Sequence, residues 1–563
     1  MSSLPRPRES TAAAFAAASQ ALSAGRLAEA EQLFRSVLAV DPGHADCLHR
    51  LGVISLARGD AESALAACDA AIARRSRVSA YHDSRGDALE ALGRDTDAIA
   101  AWRQAIKIEP SALAPLVSLG LALTREDDSA EPRAEAIRCF RRALATDPAS
   151  FPALNGLGLA LQADGRLDEA EAALRAALRI APGYAALHLN LGALLCERGQ
   201  RGDHGRWFAD SEEALTRALA LQPGNPAAQV ALARLRCCQE RYEEAEALLR
   251  AALTATPESR NARLLLAFLL ISSERYTEGW QHYAWRKGGP GRLAPLPGPA
   301  WDGSDLAGRT LLVVSDEGFG DWLQMSRFLP LAARGGRVAV QVPKPLMRLA
   351  LLMDGIDVVQ SGPDAPAHDV WCSATDLPEL FRVGIEAIPA ETPYLRPAPA
   401  DAAQWRERLA GLPGRRVGLV WGGSRTQKAD PLRSIPLEGF LPLAGVAGVS
   451  FVSLQKDRPA SVPAGLALHD WTAELADFAD TAALVSALDL VVTVDTAVAH
   501  LAGALGRPVW MLNRWDGATD PRWLRGRAGT PWYPSMRIFR QGLPGAWAPV
   551  LEAVREALTE FAA

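Results

Sequence analysis

A glycine-rich turn that carries a carboxylate opens the second half of the chain. It reads Ser315-Asp-Glu-Gly-Phe-Gly-Asp-Trp-Leu323 and follows a β-branched segment. Its glycines permit a tight strand-to-helix turn and bring the backbone close to a ligand. Asp321 lies at or just inside the following helix and has two interpretations. It caps that helix, which Asp does well, or it is a general base that takes a proton from an acceptor hydroxyl.

A second cluster combines glycines with cations. It reads Trp421-Gly-Gly-Ser-Arg-Thr-Gln-Lys428 and continues to Arg433. Gly422 and its neighbour leave backbone amides accessible, Ser424 can donate a hydrogen bond, and Lys428 and Arg433 are cationic. These groups suit a phosphate or pyrophosphate. The alternative is a solvated loop with two incidental cations.

A third cluster, Val494-Asp-Thr-Ala-Val-Ala-His500, combines a strand end with a helix of small residues. The strand would deliver Asp495 and Thr496 to a helix that starts at Ala497, where the N-terminal amides and the helix dipole attract an anion. His500 lies one turn further along. A lone histidine is usually a structural residue, but its position after Asp-Thr on a nucleotide-type turn also makes it a binding candidate.

The three clusters follow strands in a pattern of alternating strands and helices. Short β-branched segments occur at residues 310–315, 337–342, 356–360, 369–372, 416–421, 450–455, 490–494, 508–512 and 537–540. Alternation of this kind indicates parallel sheets, and two series in tandem predict two Rossmann-like halves. Ligands of such folds lie at the carboxyl ends of the strands. We therefore expect the site in the cleft between the halves.

The first half of the chain repeats. The residues that close each unit are spaced by 34, 34, 38, 34, 41 and 34 positions. These residues are Pro42, Ser76, Pro110, Pro148, Pro182, Pro223 and Pro257. A column of small residues that begins Gly52, Gly86, Gly120 has the same steps, and a third column, from Ala30 onward, predicts a buried face on each second helix. A 34-residue period with these columns is the tetratricopeptide pattern, an α-solenoid.

These patterns divide the chain into four parts. We predict a tetratricopeptide superhelix over residues 8–286, a linker over 287–307, an N-terminal Rossmann-like half over 308–400, and a C-terminal donor-binding half with a terminal helix over 401–563. The two longer steps place insertions at 125–133 and 197–210, which are expected to loop out of the stack. The aromatic residues at the end of the last helical segment, 260–287, are expected to cap the stack or dock it on the next part of the chain.

Composition excludes several classes of protein. The chain has 563 residues, too many for one core, and a formal charge of −5 with mixed signs, which gives no nucleic-acid footprint. Its 7 cysteines contain no Cys-x-x-Cys pair and indicate small buried residues of a reducing compartment. No apolar segment is long enough to span a membrane. The N-terminus looks faintly like a signal peptide but is in register with the first repeat, so we expect a cytoplasmic protein.

The three clusters resemble the heptosyltransferase-type transferases of glycosyltransferase family nine, which have the GT-B fold. The Gly320-Asp321-x-Leu323 turn matches that family's N-terminal motif, and residues 494–503 match its donor motif. The resemblance implies that Asp321 is the base and that Gly320, Asp495, Thr496, Ala497 and His500 bind the nucleotide-sugar donor. It extends the same role to Lys428 and Arg433, while Gly422 and Ser424 are donor-binding candidates because their amide and hydroxyl suit a phosphate.

The combination with repeats resembles bacterial repeat-fused transferases, some of which glycosylate flagellin with a nonulosonic acid in the cytoplasm. That resemblance implies a protein acceptor in the repeat groove and a nucleotide sugar as substrate, with no cofactor. Some related enzymes grip the acceptor through a column of asparagines. Only Asn190 fits that column here, so it is the one acceptor-binding candidate and the mode itself is not expected.

Two departures qualify the resemblance. The chain has no basic amphipathic helix for a membrane surface, and no Asp-x-Asp metal clamp occurs over residues 300–563. We therefore predict inverting transfer to Ser or Thr without a metal, with cations and helix dipoles stabilising the leaving phosphate. The rival interpretation is a tetratricopeptide scaffold whose GT-B half is non-catalytic, since a fold alone does not establish activity.

Overall fold

The computed structural model describes residues 7–125, 130–202, 204–287, 296–425, 427, 429–456, 458, 461–515 and 520–563. The chain divides into two compact units, residues 1–194 and 195–563. The first is helical, and the second combines further helices with two parallel sheets. An α-solenoid followed by α/β layers is the fold class that the sequence predicted.

The first unit consists of helix pairs in the predicted register. Four of its turns place glycine in the left-handed region, with φ of 73° at Gly25, 82° at Gly59, 71° at Gly93 and 78° at Gly165. The helices are α1 (Pro7–Ser23), α2 (Leu27–Val40), α3 (Ala45–Ala57), α4 (Ala61–Arg74), α5 (Ser79–Ala91), α6 (Asp95–Ile108), α7 (Leu113–Arg125), α8 (Ala130–Thr146), α9 (Phe151–Ala163) and α10 (Leu167–Ile180). Helix α11 (Ala185–Arg201) begins in this unit and ends in the next.

Close packing within each helix pair explains the small-residue columns. A Cβ on Gly86 would lie 2.4 Å from the indole nitrogen of Trp102 on the neighbouring helix. The alanines predicted to face inward are all fully buried. They are Ala30, Ala64, Ala98, Ala136 and Ala170. Any larger residue at these positions would push the paired helices apart.

Helices of the repeat pattern continue into the second unit. They are α12 (His204–Leu221), α13 (Pro226–Cys238), α14 (Tyr242–Ala255), α15 (Arg260–Ser272) and α16 (Tyr276–Tyr283), followed by a 3₁₀ turn, Ala284–Lys287. The loop predicted over residues 197–210 was wrong, because the extra residues lengthen α11 and α12 instead. An ion pair between Glu197 and Arg201 (2.8 Å) supports the added turn. Of the other insertion, residues 126–129 lie outside the described part and residues 130–133 are helical.

The first sheet has four parallel strands in the order β3-β2-β1-β4. They are β1 (Thr310–Val314), β2 (Arg337–Gln341), β3 (Val358–Gln360) and β4 (Val370–Ser373). The helices of this half are α17 (Phe319–Met325), α18 (Leu329–Ala332), α19 (Lys344–Ala350) and α20 (Leu377–Leu380). The direction of strand addition reverses beside β1, so the end of β1 is where a ligand crevice opens.

The second sheet has six parallel strands in the order β10-β9-β8-β5-β6-β7, and its direction of addition reverses between β5 and β8. They are β5 (Arg415–Val420), β6 (Val449–Ser453), β7 (Leu468–His469), β8 (Leu490–Val494), β9 (Val509–Asn513) and β10 (Met536–Arg540). The helices are α21 (Pro399–Leu409), α22 (Asp430–Arg433), α23 (Phe478–Ser486), α24 (Ala497–Ala504) and α25 (Trp547–Ala562). All nine predicted strands are present, with ends within two residues of those predicted; the short β7 was not predicted.

Aromatic residues of the last repeat helix enter the core of the second unit. The rings of Tyr276 and Trp280 each lie 6.3 Å from the ring of Trp532, and all three side chains are buried. Trp532 and Trp523 belong to the same core as residues of the first sheet. Helix α25 packs instead on the second sheet's own core. The repeat end is therefore docked on the α/β layers, as one of the two interpretations of its aromatics predicted.

Candidate active site

The first turns of α17 and α24 meet. A Cβ on Gly320 would lie 2.8 Å from Cδ2 of His500 and 3.5 Å from Cα of Ala497. Glycine at position 320 therefore allows the helix that follows β1 to contact the helix that follows β8. The first and third clusters of the sequence, which belong to different sheets, are brought together at this point.

Asp321 is the third residue of α17 and makes two contacts. Its Oδ2 accepts a hydrogen bond from the backbone N–H of Gly318 (3.2 Å), which caps the helix. Its Oδ1 lies 2.7 Å from the Arg522 guanidinium, and 22% of its side chain is exposed. The capping contact is therefore present. The Oδ1 edge of the carboxylate still faces Arg522, on the other side of the site.

Arg522 is the main charge partner of Asp321, and the sequence did not point to it. Asp520 accepts hydrogen bonds from its Nε (2.9 Å) and NH2 (2.5 Å). Burial raises the pKa of Asp520, but the charge of Arg522 and its hydrogen bonds outweigh burial and hold that pKa below its ordinary value. Burial likewise opposes the charge of Arg522, and Asp520 and Asp321 overcome it and raise its pKa. The Asp-Pro-Arg-Trp sequence at 520–523, soon after a strand end, was the available signal.

His500 is held as a neutral, structural imidazole. It is 4% exposed, its Nδ1 lies 3.0 Å from the Tyr533 hydroxyl, and its ring stacks on Trp523 with centroids 5.0 Å apart. Burial, helped by the nearby charge of Arg522, lowers the pKa of His500 to about 3. An imidazole in this state can share a hydrogen bond near the site but carries no charge at neutral pH.

Asp495 and Thr496 lie at the end of β8, as predicted. Thr496 is the N-cap residue of α24, and its hydroxyl lies 3.1 Å from that of Thr493. Burial and then the charge of Asp520 raise the pKa of Asp495, while Arg433 and Arg522 act in the opposite direction. Its carboxylate thus shares one electrostatic environment with the Asp321–Arg522 pair.

The loop after β5 is closed by its own neighbours. The amide of Gly422 donates to Gln455 Oε1 (2.8 Å), and the amide of Gly423 donates to Ser434 Oγ (3.2 Å). These two amides, which the sequence had made candidates for a phosphate, are engaged in the structure. Ser424 is exposed on the same loop, whereas Lys428 lies outside the described residues.

Two guanidinium groups cover these glycines. A Cβ on Gly423 would lie 2.6 Å from NH2 of Arg433, and a Cβ on Gly422 would lie 2.6 Å from Nε of Arg458. Arg458 also donates to the carbonyl of Gly423 (2.9 Å) and pairs with the buried Asp430. Arg458 thus fixes the loop, and Arg433, with 21% of its side chain exposed, is the cation left to face a ligand.

Arg514 adds a further cation directly after β9. Burial lowers its pKa and Arg433 acts in the same direction, while Asp495 and Asp520 oppose them. The site therefore contains three carboxylates and three guanidiniums whose charges influence one another. They are Asp321, Asp495, Asp520, Arg433, Arg514 and Arg522. In the described part of the chain no group of three His, Cys, Asp or Glu side chains could hold a metal ion.

The last repeat helices form one wall of the site. Phe268, Trp280 and Tyr283 line a small pocket together with Asp520 and Arg522. Arg286, in the 3₁₀ turn after α16, lies over the Tyr283 ring. It pairs with Asp376 (2.6 Å) and with Glu317 (3.3 Å), which belongs to the turn that carries Asp321. The repeat segment is thus in direct contact with the groups that would do chemistry. By contrast, the acceptor candidate Asn190 belongs to the first unit, where its amide donates to Asn155 (2.8 Å).

Comparison with protein families matches both parts of the chain. Tetratricopeptide repeat models match residues 21–88, 129–185 and 238–279. The model described as glycosyltransferase family 9 (heptosyltransferase) matches residues 471–544, which include the motif at 495–500 and the Asp520–Arg522 pair. The chain carries tetratricopeptide repeats joined to a family 9 glycosyltransferase domain. The turn that carries Asp321 and the loop at 422–433 lie outside the stretch matched to family 9.

Similar proteins are found for the chain and for its repeats. Protein FlbA of Caulobacter vibrioides is 32% identical over 320 residues, and the match covers 51% of this chain and 53% of FlbA. The chain thus spans about half the length of that relative. A tetratricopeptide repeat protein from Parabacteroides merdae matches 46% of this chain and 99% of its own at 17% identity and a TM-score of 0.37. One from Thermus thermophilus matches 34% and 100% at 26% identity and a TM-score of 0.30.

Proposed function

We propose that this protein transfers a sugar from a nucleotide-activated donor to Ser or Thr hydroxyls of a protein acceptor. The observation that carries the proposal is the contact between α17 and α24, which places Asp321 beside the family 9 motif at 495–500. In a GT-B transferase the base belongs to one parallel-sheet half and the donor site to the other, which is the arrangement proposed here. No helix among the described residues is long and apolar enough to cross a membrane.

In this mechanism the donor phosphates lie against the start of α24 and the exposed edge of Arg433. The acceptor hydroxyl oxygen forms a bond to the anomeric carbon while the bond from that carbon to the phosphate oxygen breaks. The proton passes to Asp321, and the phosphate leaves with the bonding electron pair. Attack opposite the leaving group inverts the anomeric carbon. A well-placed base contributes roughly 10²–10⁴ in rate.

Guanidinium groups take the place that a metal ion holds in other transferases. The charges of Arg433, Arg514 and Arg522 all act on Asp495. A phosphate that binds among these three residues would therefore gain three cationic partners. Guanidinium is suited to phosphate because its paired N–H donors match the oxygens. We therefore propose transfer that needs neither a metal nor a cofactor, with Asp495, Thr496 and Ala497 at the donor and His500 supporting them.

The acceptor is a protein held by the repeats, since arrays of this kind usually bind a protein or peptide. The resemblance to repeat-fused flagellin transferases makes flagellin the first candidate and a nonulosonic acid the first candidate sugar. All seven cysteines are buried and free, which suits the reducing cytoplasm, where flagellin is made before export. The repeats raise the concentration of acceptor at the cleft rather than performing chemistry.

A non-catalytic scaffold is the second candidate, and one observation favours it. The amides of Gly422 and Gly423 are engaged by side chains of the chain itself, as they would be in a loop that no longer binds phosphate. Against it, Arg433 and Arg514 remain beside the loop with their charges directed at the donor motif.

The test is intact-protein mass spectrometry of flagellin from the same cell, expressed with and without this protein. A discrete mass increment that requires the protein would establish transfer and identify the sugar by its mass. If no increment appears on flagellin or on other proteins that co-purify with the repeats, and no nucleotide sugar is hydrolysed, the scaffold interpretation holds instead.

A further inference from the structure

The Asp321–Arg522 ion pair is unevenly built. Arg522 is fixed on one edge by two hydrogen bonds to Asp520. Its NH1 lies 2.7 Å from Asp321 Oδ1, but neither N–H of this nitrogen is aligned with that oxygen well enough to form a hydrogen bond. Within the part of the chain that the structure describes, NH1 therefore has an ionic neighbour and no hydrogen-bond acceptor.

A buried donor without an acceptor is unfavourable by about 1–3 kcal/mol, and more where the group is charged. Arg522 is 8% exposed, so water satisfies little of it. The missing partner of NH1 is an oxygen, and an anionic oxygen would suit the charge best. The ion-pair geometry thus leaves room for a better acceptor than Asp321 itself.

The surroundings of Arg522 indicate which anion that would be. Its positive charge interacts with Asp495, just before helix α24, and with His500, in the first turn of that helix. Both residues lie in the stretch matched to family 9. Arg522 also lines the small pocket with Trp280 and Tyr283. Arg522 is thus the group that borders the donor motif, the base and the repeat wall at once.

We propose that Arg522 couples donor binding to the base: NH1 binds a phosphate oxygen of the nucleotide sugar, and that contact draws Arg522 away from Asp321. While the ion pair is intact, Asp321 Oδ1 is occupied by the Arg522 guanidinium. Breaking the pair frees this oxygen to accept a hydrogen bond from the acceptor hydroxyl only when the donor is bound, which orders the reaction as donor first. The proposal rests on the proposed function and assigns Arg522 as the positioning residue of that site.

The proposal predicts a gain of affinity when the base candidate is neutralised. In the free protein Asp321 competes with phosphate for Arg522, so Asp321→Asn should bind the donor nucleotide about threefold to tenfold more tightly, the scale of a partly screened ion pair. Asparagine can still accept from Gly318, so the helix cap is retained. Arg522→Lys should bind at least about tenfold more weakly, because lysine cannot hold Asp520 and phosphate together.

The experiment is calorimetry of the full chain with UDP, GDP, ADP and CMP, followed by the variants with the nucleotide that binds. Asp354→Asn is the matched control, since it removes one negative charge from the part of the chain around the first sheet, at a side chain that is 98% exposed and lies 3.9 Å from Arg396, and its affinity should stay within about twofold. Combining Asp321→Asn with Arg522→Lys should abolish the gain, which isolates the coupling between the two residues. Thermal unfolding of each variant checks that it is folded.

Several outcomes would overturn the proposal. Unchanged or weaker binding by Asp321→Asn would remove the competition on which it depends. An equal gain in Asp354→Asn would reduce the effect to net charge, and a gain that survives Arg522→Lys would exclude Arg522 as the link. These results leave the donor function standing. If none of the nucleotides binds any variant, the donor function fails and this proposal falls with it.

Discussion

Gly320 and His500 are in contact between the two sheets, so closely that a Cβ on Gly320 would lie 2.8 Å from the imidazole Cδ2. The His500 ring cannot move away from Gly320, because it stacks on Trp523 and its Nδ1 is hydrogen-bonded to the Tyr533 hydroxyl. The buried histidine thus sets the distance between α17 and α24. The residue after Gly320, Asp321, is placed against the motif at residues 495–500 as a consequence.

Gly320→Ala is expected to separate the two helices. Overpacking of this kind costs about 1–3 kcal/mol, and we expect nucleotide binding to fall together with thermal stability. Gly411→Ala is the control, since nothing lies within 4 Å of a Cβ there. Calorimetric melting and nucleotide titration of both variants would check this. A Gly320→Ala variant that binds nucleotide as the wild type does would show that the helix contact is not required.

His500 should make the second unit sensitive to acid. Burial first, and Arg522 second, lower its pKa from 6.5 to about 3 in the folded chain. Because the folded pKa lies below the unfolded one, the stability it contributes is present above pH 6.5 and is lost as the pH falls towards 3. Relative to His500→Gln, the wild type should lose about 1.4 kcal/mol per pH unit in that window. Urea unfolding of both proteins at pH 7.5, 5.5 and 4.5 measures the slope, and parallel curves would contradict it.

Asp83 should have the opposite effect in the first unit. Its Oδ1 is buried without a hydrogen-bond partner among the described residues. Burial, and then Asp87 on the same helix, raise its pKa from 3.8 to about 7. Its folded pKa exceeds its unfolded pKa, so stability is lost as the pH rises from about 4 to 7.

Asp83→Asn should therefore stabilise the repeats by roughly 1–2 kcal/mol at pH 8, after allowance for screening, and by much less at pH 4.5. Asp95→Asn, at an exposed position on the next helix, should change stability by about 0.5 kcal/mol or less at either pH. Thermal melts at both values test this. A gain for Asp83→Asn that is independent of pH would contradict the assigned cause.

Two truncations should behave differently. Removing residues 1–184 takes away helices α1–α10 and leaves the second unit complete from the start of α11, so nucleotide binding should persist while transfer to protein falls. Removing residues 1–286 also deletes Tyr276 and Trp280, which pack on Trp532. Loss of two buried aromatic residues removes several kcal/mol, and that fragment should not fold. Nucleotide titration and circular dichroism would distinguish the two, and equal behaviour would contradict the predicted role of α16.

The repeats and the strands could be predicted from the sequence because their signals are local. The small-residue columns encode contacts such as that of Gly86 with Trp102 within one helix pair, and β-branched segments mark the strands. The loop predicted at 197–210 failed for a local reason too, because Glu197 and Arg201 stabilise a longer helix and Phe208 packs on Gly199. The spacing between repeats reveals that residues have been inserted, but it does not show whether those residues are helical.

The pairing of charges within the site could not be predicted, because the partners come from distant and irregular segments. Arg522 reaches Asp321 from a stretch without repeating pattern, and Gln455 reaches the Gly422 amide from the end of β6. The environment of Asp495 likewise depends on Arg514, which lies nearby because strand β9 pairs with strand β8. Side chains at strand ends were foreseeable as a group, but their pairing depends on the packing of three segments.

The most direct test of Asp321 as the base compares transfer by the wild type and by Asp321→Asn, with flagellin as acceptor and intact mass as the readout. We expect the initial rate of the mass increment to fall at least about 100-fold, while the variant still binds the nucleotide and melts like the wild type. An increment that appears at an unchanged rate would contradict it, and the base of this transferase would have to be sought elsewhere in the site.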